Sequence, residues 1–230
     1  VVDLETTGLK PSKDRILEIG AVKVVNGEVA DTFCTFVDPR MVIPEKIQQL
    51  TGITQEMVEG QSLAEKAIAD FLAFSDGMLL MGHNLLFDYS FLKHQAARQK
   101  FVFEKDGIDT LKIARKLLPE LESRSLTSLC AYFGIENGHT HRAYHDALAT
   151  HLVYKKMKDL ETADEKVFKP YTLVYKVKKQ SPITDSQKAY LNDLVKYHRI
   201  KLDVVIESLT KSEASRKIDT IISEYGRMQR

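Results

Sequence analysis

ILEIGAVKVVNGEVADTFCTFV, residues 16–37, sets two runs rich in β-branched residues, 16–25 and 29–37, on either side of Asn26-Gly27. Asn-Gly between such runs is the strongest short hairpin signal, because both residues tolerate the positive φ that a tight two-residue turn requires. Working outward, Val1 to Leu4 makes a third early strand, already under way where the sequence opens without Met. Downstream, 62–74 reads as a helix, 78–82 (MLLMG) as a short buried strand, and Phe87 to about Lys100 as a helix. Ile108-Asp109-Thr110 reads as a strand end, followed by helices over about 110–118, 125–133 and 141–158. Strands first, then strands alternating with helices, predict an α/β fold: a mixed sheet with helices packed on its faces.

The pattern breaks after Lys158. Residues 161–183 read as a linker holding a short strand at Tyr171 to Lys179 (YTLVYKVKK), and 184–230 as a small helical module. Two capping boxes, Thr184-x-x-Gln187 and Thr210-x-x-Glu213, open its helices. Gln187, Leu191, Leu194, Val195 and His198 share one helical face; Ala214, Ile218, Ile221, Ile222 and Tyr225 share another, with Gly226 placed to end it. The first unit is therefore expected over 1–160.

Composition limits the function classes. The chain has 230 residues with 43% hydrophobic and 28% charged, which suits a globular protein. No apolar run approaches the ~20 residues of a membrane span, and Asp3 and Glu5 interrupt any leader-like stretch. Cys34 and Cys130 are isolated, with neither C-x-x-C spacing nor a His cluster, so a cytoplasmic, reducing setting is expected. The formal net charge of +1 hides an asymmetry: 19 basic against 22 acidic residues over 1–160, and 14 against 10 beyond. Two units with different tasks, or an ordinary solvated surface, both fit that split.

Three clusters carry chemistry. In Asp3-Leu4-Glu5-Thr6-Thr7-Gly8, residues two apart on a strand face the same side, so Asp3 and Glu5 bring two carboxylates together among apolar neighbours. A divalent cation between them would relieve the repulsion, and oxygen-only ligands favour Mg²⁺ or Mn²⁺ over zinc. A solvated strand end also explains the pair. His83-Asn84-Leu85-Leu86-Phe87-Asp88 follows the MLLMG strand and puts Asp88 in the first turn of a helix. That is the ligand-binding edge of open α/β sheets, and equally a position where Asp simply complements the helix dipole. In His139-Thr140-His141-Arg142-Ala143-Tyr144-His145-Asp146, Thr140 is placed to cap a helix, with His141 in its opening turn and Asp146 about one turn further in. Asp146 then lies near the small-residue face that packs on the sheet, where a carboxylate needs a partner. A hydroxyl could be that partner.

Read together, D-x-E-T-T-G near residue 3, H-N-x-x-F-D near 84 and H-x-A-x-x-D near 141 resemble the DnaQ-like exonucleases, in their DEDDh branch of 3′→5′ enzymes. The resemblance spans about residues 1–158 and implies an RNase H-like mixed sheet flanked by helices. IPEKIQQLTGIT (43–54) is similar to the proofreading exonucleases of bacterial replicative DNA polymerase III. The resemblance implies a site of two divalent ions, Mg²⁺ or Mn²⁺. Asp3, Glu5 and Asp146 would be direct ligands, Asp3 bridging both ions, and Asp88 would hold the second through water. It makes His141 the general base, since only His141, not His139 or His145, lies five residues before Asp146. Thr6 and Leu9 match positions that contact and wedge the terminal nucleotide. Thr51 matches one that lines its pocket, Asn84 orients the second motif, and Glu5 and His141 also face substrate.

The expected activity is removal of nucleoside 5′-monophosphates from the 3′ end of DNA, on single strands or 3′ ends, in replication or repair beside a DNA polymerase or similar partner. Two alternatives stay open: an RNA-trimming exoribonuclease, and an idle exonuclease fold that only binds nucleic acid or a partner. Beyond the nuclease unit, Lys196, His198, Arg199 and Lys201 with Tyr197, and Lys176, Lys178 and Lys179, could track a phosphate backbone; a packing module with a solvated basic face fits equally. No phosphate-cradling G-x-x-x-x-G-K-[ST], no G-x-G-x-x-G and no G-x-S-x-G is present.

Overall fold

Strands β1 (Val2–Thr6), β2 (Ile16–Val25) and β3 (Glu28–Asp38) form an antiparallel meander. The structure, a computed structural model, describes residues 1–136, 141–160, 164–177, 181–202 and 204–228. Val25 pairs directly with Glu28, and the two turn residues between them have φ of 53° and 83°, the paired positive angles for which Asn-Gly is suited. Pairing of β1 with β2 slips between Glu5 and Thr6, so that Leu17 is skipped. Such a bulge re-aims the chain, and it falls where β1 leaves the sheet.

The chain then crosses the end of the sheet through α1 (Glu45–Thr51) and α2 (Gln55–Val58). These pack Ile43, Ile53 and Val58 with Leu17, and Phe36, Ile47 and Met57 lie against that cluster. Ser62–Leu63 (β4) runs parallel to the last residues of β3, so the helix expected from 62 starts at Ala64 (α3, Ala64–Phe74). The MLLMG run contributes β5 (Leu80–Gly82), and α4 (Leu86–Arg98) follows. Next come β6 (Asp106–Asp109), α5 (Thr110–Leu117), α6 (Leu126–Phe133) and α7 (Ala143–Lys158). β6 lies parallel to β5 and antiparallel to β7 (Tyr171–Thr172).

Apolar residues of α3 and α4, among them Ile68, Phe71, Tyr89 and Leu92, share one core with Val2, Leu4 and Ile19 of the meander and with Leu80. Ile113, Leu129, Val153 and Met157 bind α5, α6 and α7 into a second cluster. Gly20 on β2 allows α7 to lie directly on the strands: a Cβ there would come within 2.1 Å of the backbone of Ala143 and Tyr144.

Two compact units emerge, Val1–Val177 and Lys178–Arg230. The division falls later than 160 because the stretch expected to be a linker packs into the first unit. Phe168 joins the α5–α7 cluster, and Leu173 is buried in the main core. The strand expected over Tyr171 to Lys179 is confined to Tyr171–Thr172, which pair with Gly107 and Asp106 before Leu173 turns into the core; Lys178 and Lys179 lie outside the described residues. In the second unit α8 (Asp185–His198) and α9 (Lys211–Tyr225) each carry the expected capping box. Ile183, Leu191, Leu194, Ala214 and Ile221 form their core. His198 is engaged there, its Nε2 3.1 Å from the Gly226 carbonyl oxygen; Lys196, Arg199 and Lys201 are exposed.

Candidate active site

Asp3 and Glu5 pair across β1–β2 with Gly20 and Glu18. Cross-strand partners share a face of the sheet, so the two carboxylates lie on the face that Gly20 opens to α7. Asp146, one turn into α7, is thereby set over them. The carboxylate oxygens of Glu5 and Asp146 and a ring nitrogen of His141 lie within 4.8 Å of one another.

His141 itself is not helical. It has φ of 65°, which a helix cannot include, so α7 begins at Ala143 with Arg142 as its N-cap residue, two residues after the expected start. Thr140, expected to cap the helix, and His139 lie outside the described residues. The His141 amide donates to Asp146 Oδ2 at 2.9 Å, which ties the histidine back onto the helix that carries the aspartate.

Asp88, in the first turn of α4, is almost wholly buried, and its Oδ1 accepts from the Leu4 amide at 3.0 Å. The second cluster is thus pinned to β1 between Asp3 and Glu5. Asn84, with φ of 68°, gives its amide to Asp109 Oδ1 at 3.1 Å, and Asp109 also caps α5. His83 is structural: its ring nitrogens lie 2.9 Å from Thr110 Oγ1 and from the Arg124 carbonyl oxygen.

So many carboxylates in one place oppose ionisation. Burial first, then the charges of Asp88, Glu5, Asp146 and Glu18, hold Asp3 well above the usual carboxylate range. Glu5 is pushed up to about 8 by burial and by Asp146 and Glu18, with Arg142 pulling the other way. Asp88 is raised because burial outweighs the amides of Asp88 and Leu4. Two remedies exist for such a cluster, protons or a cation. The donors are oxygens and one imidazole, a set that suits a hard divalent ion.

Around this centre Thr6 turns its hydroxyl inward to the Gly8 carbonyl at 2.7 Å. Leu9 stands 80% exposed on the β1–β2 loop. Thr51 is buried at the end of α1. Its hydroxyl donates to the Ile47 carbonyl and accepts from the Ile53 amide, so it shapes the 43–54 segment rather than presenting a free hydroxyl.

Sequence reasoning passed over Glu18, Gly20 and Arg142. Glu18 is fully buried and receives Arg142 and the Ala143 amide. The signal was present in ILEIGAV, where a carboxylate stands inside an otherwise apolar strand.

Residues 1–154 match the family model described as Exonuclease (RNase_T). The chain is 42% identical over 157 residues to the PolC-type DNA polymerase III of Caldanaerobacter subterraneus subsp. tengcongensis, covering 68% of this chain and 11% of that protein. It is 36% identical over 158 residues to the DNA polymerase III subunit epsilon of Aquifex aeolicus, covering 68% of this chain and 78% of that one. The chain thus spans about a tenth of the length of the PolC-type relative. Exonuclease X in complex with 5′ overhanging duplex DNA superposes with a TM-score of 0.56 at 24% identity, over 73% of this chain and 95% of that one. The fold, mixed strands flanked by helices, is RNase H-like. Among the described residues no helix is long and apolar enough to cross a membrane.

Proposed function

The chain belongs to the Exonuclease family, and we propose that it removes nucleoside 5′-monophosphates from the 3′ end of DNA. The observation that carries this reading is the convergence of Glu5, His141 and Asp146 within 4.8 Å. They lie on a face of the sheet that Asp3 shares, and Asp88 is pinned to the same strand. The raised protonation of Asp3, Glu5 and Asp88 fits residues built to be neutralised by a cation.

In this reading Asp3, Glu5, Asp88 and Asp146 would hold two divalent ions, Mg²⁺ or Mn²⁺. When bound, such ions supply charge relief to the phosphate and its leaving oxygen and acidify the attacking water. His141 accepts that water's proton, a task for which an imidazole is suited near neutral pH. The hydrogen bond that its backbone N–H donates to Asp146 limits how the ring is presented. In this reading Thr6 contacts the terminal nucleotide, the exposed side chain of Leu9 wedges it, Thr51 lines its pocket and Asn84 orients the second motif. Relatives named as DNA polymerase III support DNA as the substrate and a polymerase as partner, acting in the cytoplasm.

The test is a digestion time course on 5′-labelled single-stranded DNA and RNA of matched sequence, with Mn²⁺ or EDTA, for wild type and Asp3→Ala. Shortening from the 3′ end, lost in EDTA and in the variant and faster on DNA, is expected. Faster loss of RNA would make this an exoribonuclease. No shortening of either strand with metal present would make the fold a binding module.

A further inference from the structure

Glu18 has no exposed surface, and its neighbours account for both oxygens. Oε1 lies 3.0 Å from Arg142 Nη2 and 3.4 Å from Nε, with the Cys34 thiol at 3.6 Å. Oε2 accepts from Arg142 Nε at 3.2 Å and from the Ala143 amide at 3.1 Å. The Glu18 carboxylate is therefore occupied, and it does not serve as a further cation ligand despite lying beside Glu5.

Two of its partners, Arg142 and Ala143, directly follow His141. Arg142 is the N-cap residue of α7, yet makes no side-chain cap of its own. Glu18 supplies that missing acceptor from β2, on the first helical amide, where a negative charge is also favoured by the helix dipole. The Arg142 guanidinium forks onto Glu18 and lies over the Phe36 ring, 5.2 Å from its centroid. Phe36 in turn packs with the 43–54 segment. His141 holds a left-handed backbone that disfavours any residue with a Cβ, and such a conformation persists only where its surroundings dictate it. Here they grip both sides: Asp146 takes the His141 amide, and Glu18 takes the next side chain and the next amide but one.

We propose that Glu18 and Arg142 are positioning residues for the proton transfer: they lock the 141–143 backbone so that the His141 ring stands beside Glu5 and Asp146. The inference rests on His141 as the general base. A pair that merely held the fold together could be replaced by well-packed apolar residues at little loss. A positioning pair could not, because only the fork fixes the peptide that carries His141.

The experiment measures single-turnover hydrolysis of a short 5′-labelled DNA strand with Mn²⁺ for Arg142→Met, Arg142→Lys and Glu18→Gln, each in wild-type and His141→Ala backgrounds. Thermal unfolding and amide hydrogen exchange at His141 in metal-free protein accompany it. Arg142 is partly exposed, so its variants can fold even where Glu18→Gln does not. In the wild-type background Arg142→Met should lower the rate by about 10–100-fold, the usual range for groups that orient a reacting ligand. KM should stay unchanged, and Lys should restore only part of the rate. The same change should cost less than about twofold when His141 is already absent, because two residues acting through one group are not additive. Arg142→Met leaves the buried Glu18 without its cation, so the unfolding midpoint should fall, and the His141 amide should exchange faster by more than that global loss accounts for. Equal losses in both backgrounds, or no loss in the first, would overturn the inference alone. Wild-type rates in His141→Ala would overturn the base assignment and the inference with it.

Discussion

Metal-free protein should lose stability as pH rises through neutrality, and Glu5 allows the size of the loss to be worked out. Its carboxyl is raised from the ordinary 4.5 to about 8. An unfolded chain releases that proton above 4.5, whereas the folded chain keeps it until about 8. Between those values the native state binds the extra proton, so stability falls with rising pH, by up to ~1.4 kcal/mol per pH unit for one group. Across the whole window the loss is about 5 kcal/mol, or on the order of 10–20 °C in Tm for a chain of this size. Above about 8 Glu5 is ionised in both states and adds nothing more. Calorimetry in EDTA from pH 5 to 9, on wild type and Glu5→Gln, reads this directly. The variant should show a shallower decline, gaining on the wild type steadily from pH 5 and levelling off near pH 8. Adding Mn²⁺ should stabilise wild type more at pH 8 than at pH 5, because the cation displaces protons that low pH restores. Parallel curves for the two proteins between pH 5 and 8 would refute the reasoning, since Glu5 would then titrate alike folded and unfolded.

Other consequences can be checked as readily. His141→Ala should slow hydrolysis by about 10²–10⁴-fold with substrate and Mn²⁺ affinity retained; weakened binding at an intact rate would remove its role as base. Gly20→Ala drives a methyl group into the Ala143–Tyr144 backbone, and should cost about 3 kcal/mol or more in a urea titration. An unchanged midpoint would mean that α7 can lift off the strand freely. Removing 178–230 should spare hydrolysis of short strands yet weaken binding to long ones. The salt slope should become shallower by ~0.7 for each phosphate no longer neutralised, as expected if Lys196, Arg199 and Lys201 track a backbone. Unchanged affinity and slope would make the second unit a packing module.

The hairpin, the order of strands and helices, and both capping boxes were legible because each rests on short-range chemistry: a turn that needs positive φ, a hydroxyl three residues before an acceptor. The convergence of Glu5 with Asp146 was legible only through motif order, since no local rule brings residue 5 to residue 146. Interactions that depend on tertiary partners escaped. The start of α7 was misplaced because His141 takes a left-handed φ and the first helical amide, that of Ala143, is met by Glu18 on β2, far away in sequence. The short β7 and the later unit boundary follow from what Leu173 and Phe168 pack against, which alternation along the chain does not encode. Gly20 reads as an ordinary strand glycine until a helix is laid across it.

The bond from Glu18 to the Ala143 amide spans 125 residues, and it joins the first hairpin to the last helix of the site. Early and late parts of the polypeptide must therefore meet before any catalytic centre exists. Asp3, Glu5 and Asp88 sit on β1 and α4, whereas His141 precedes α7 and Asp146 lies on it, so the strands and α4 alone bring together only carboxylates. The cluster of Glu5, His141 and Asp146 is thus assembled by the docking of α7 on the strands, and whatever loosens that contact takes the cluster apart.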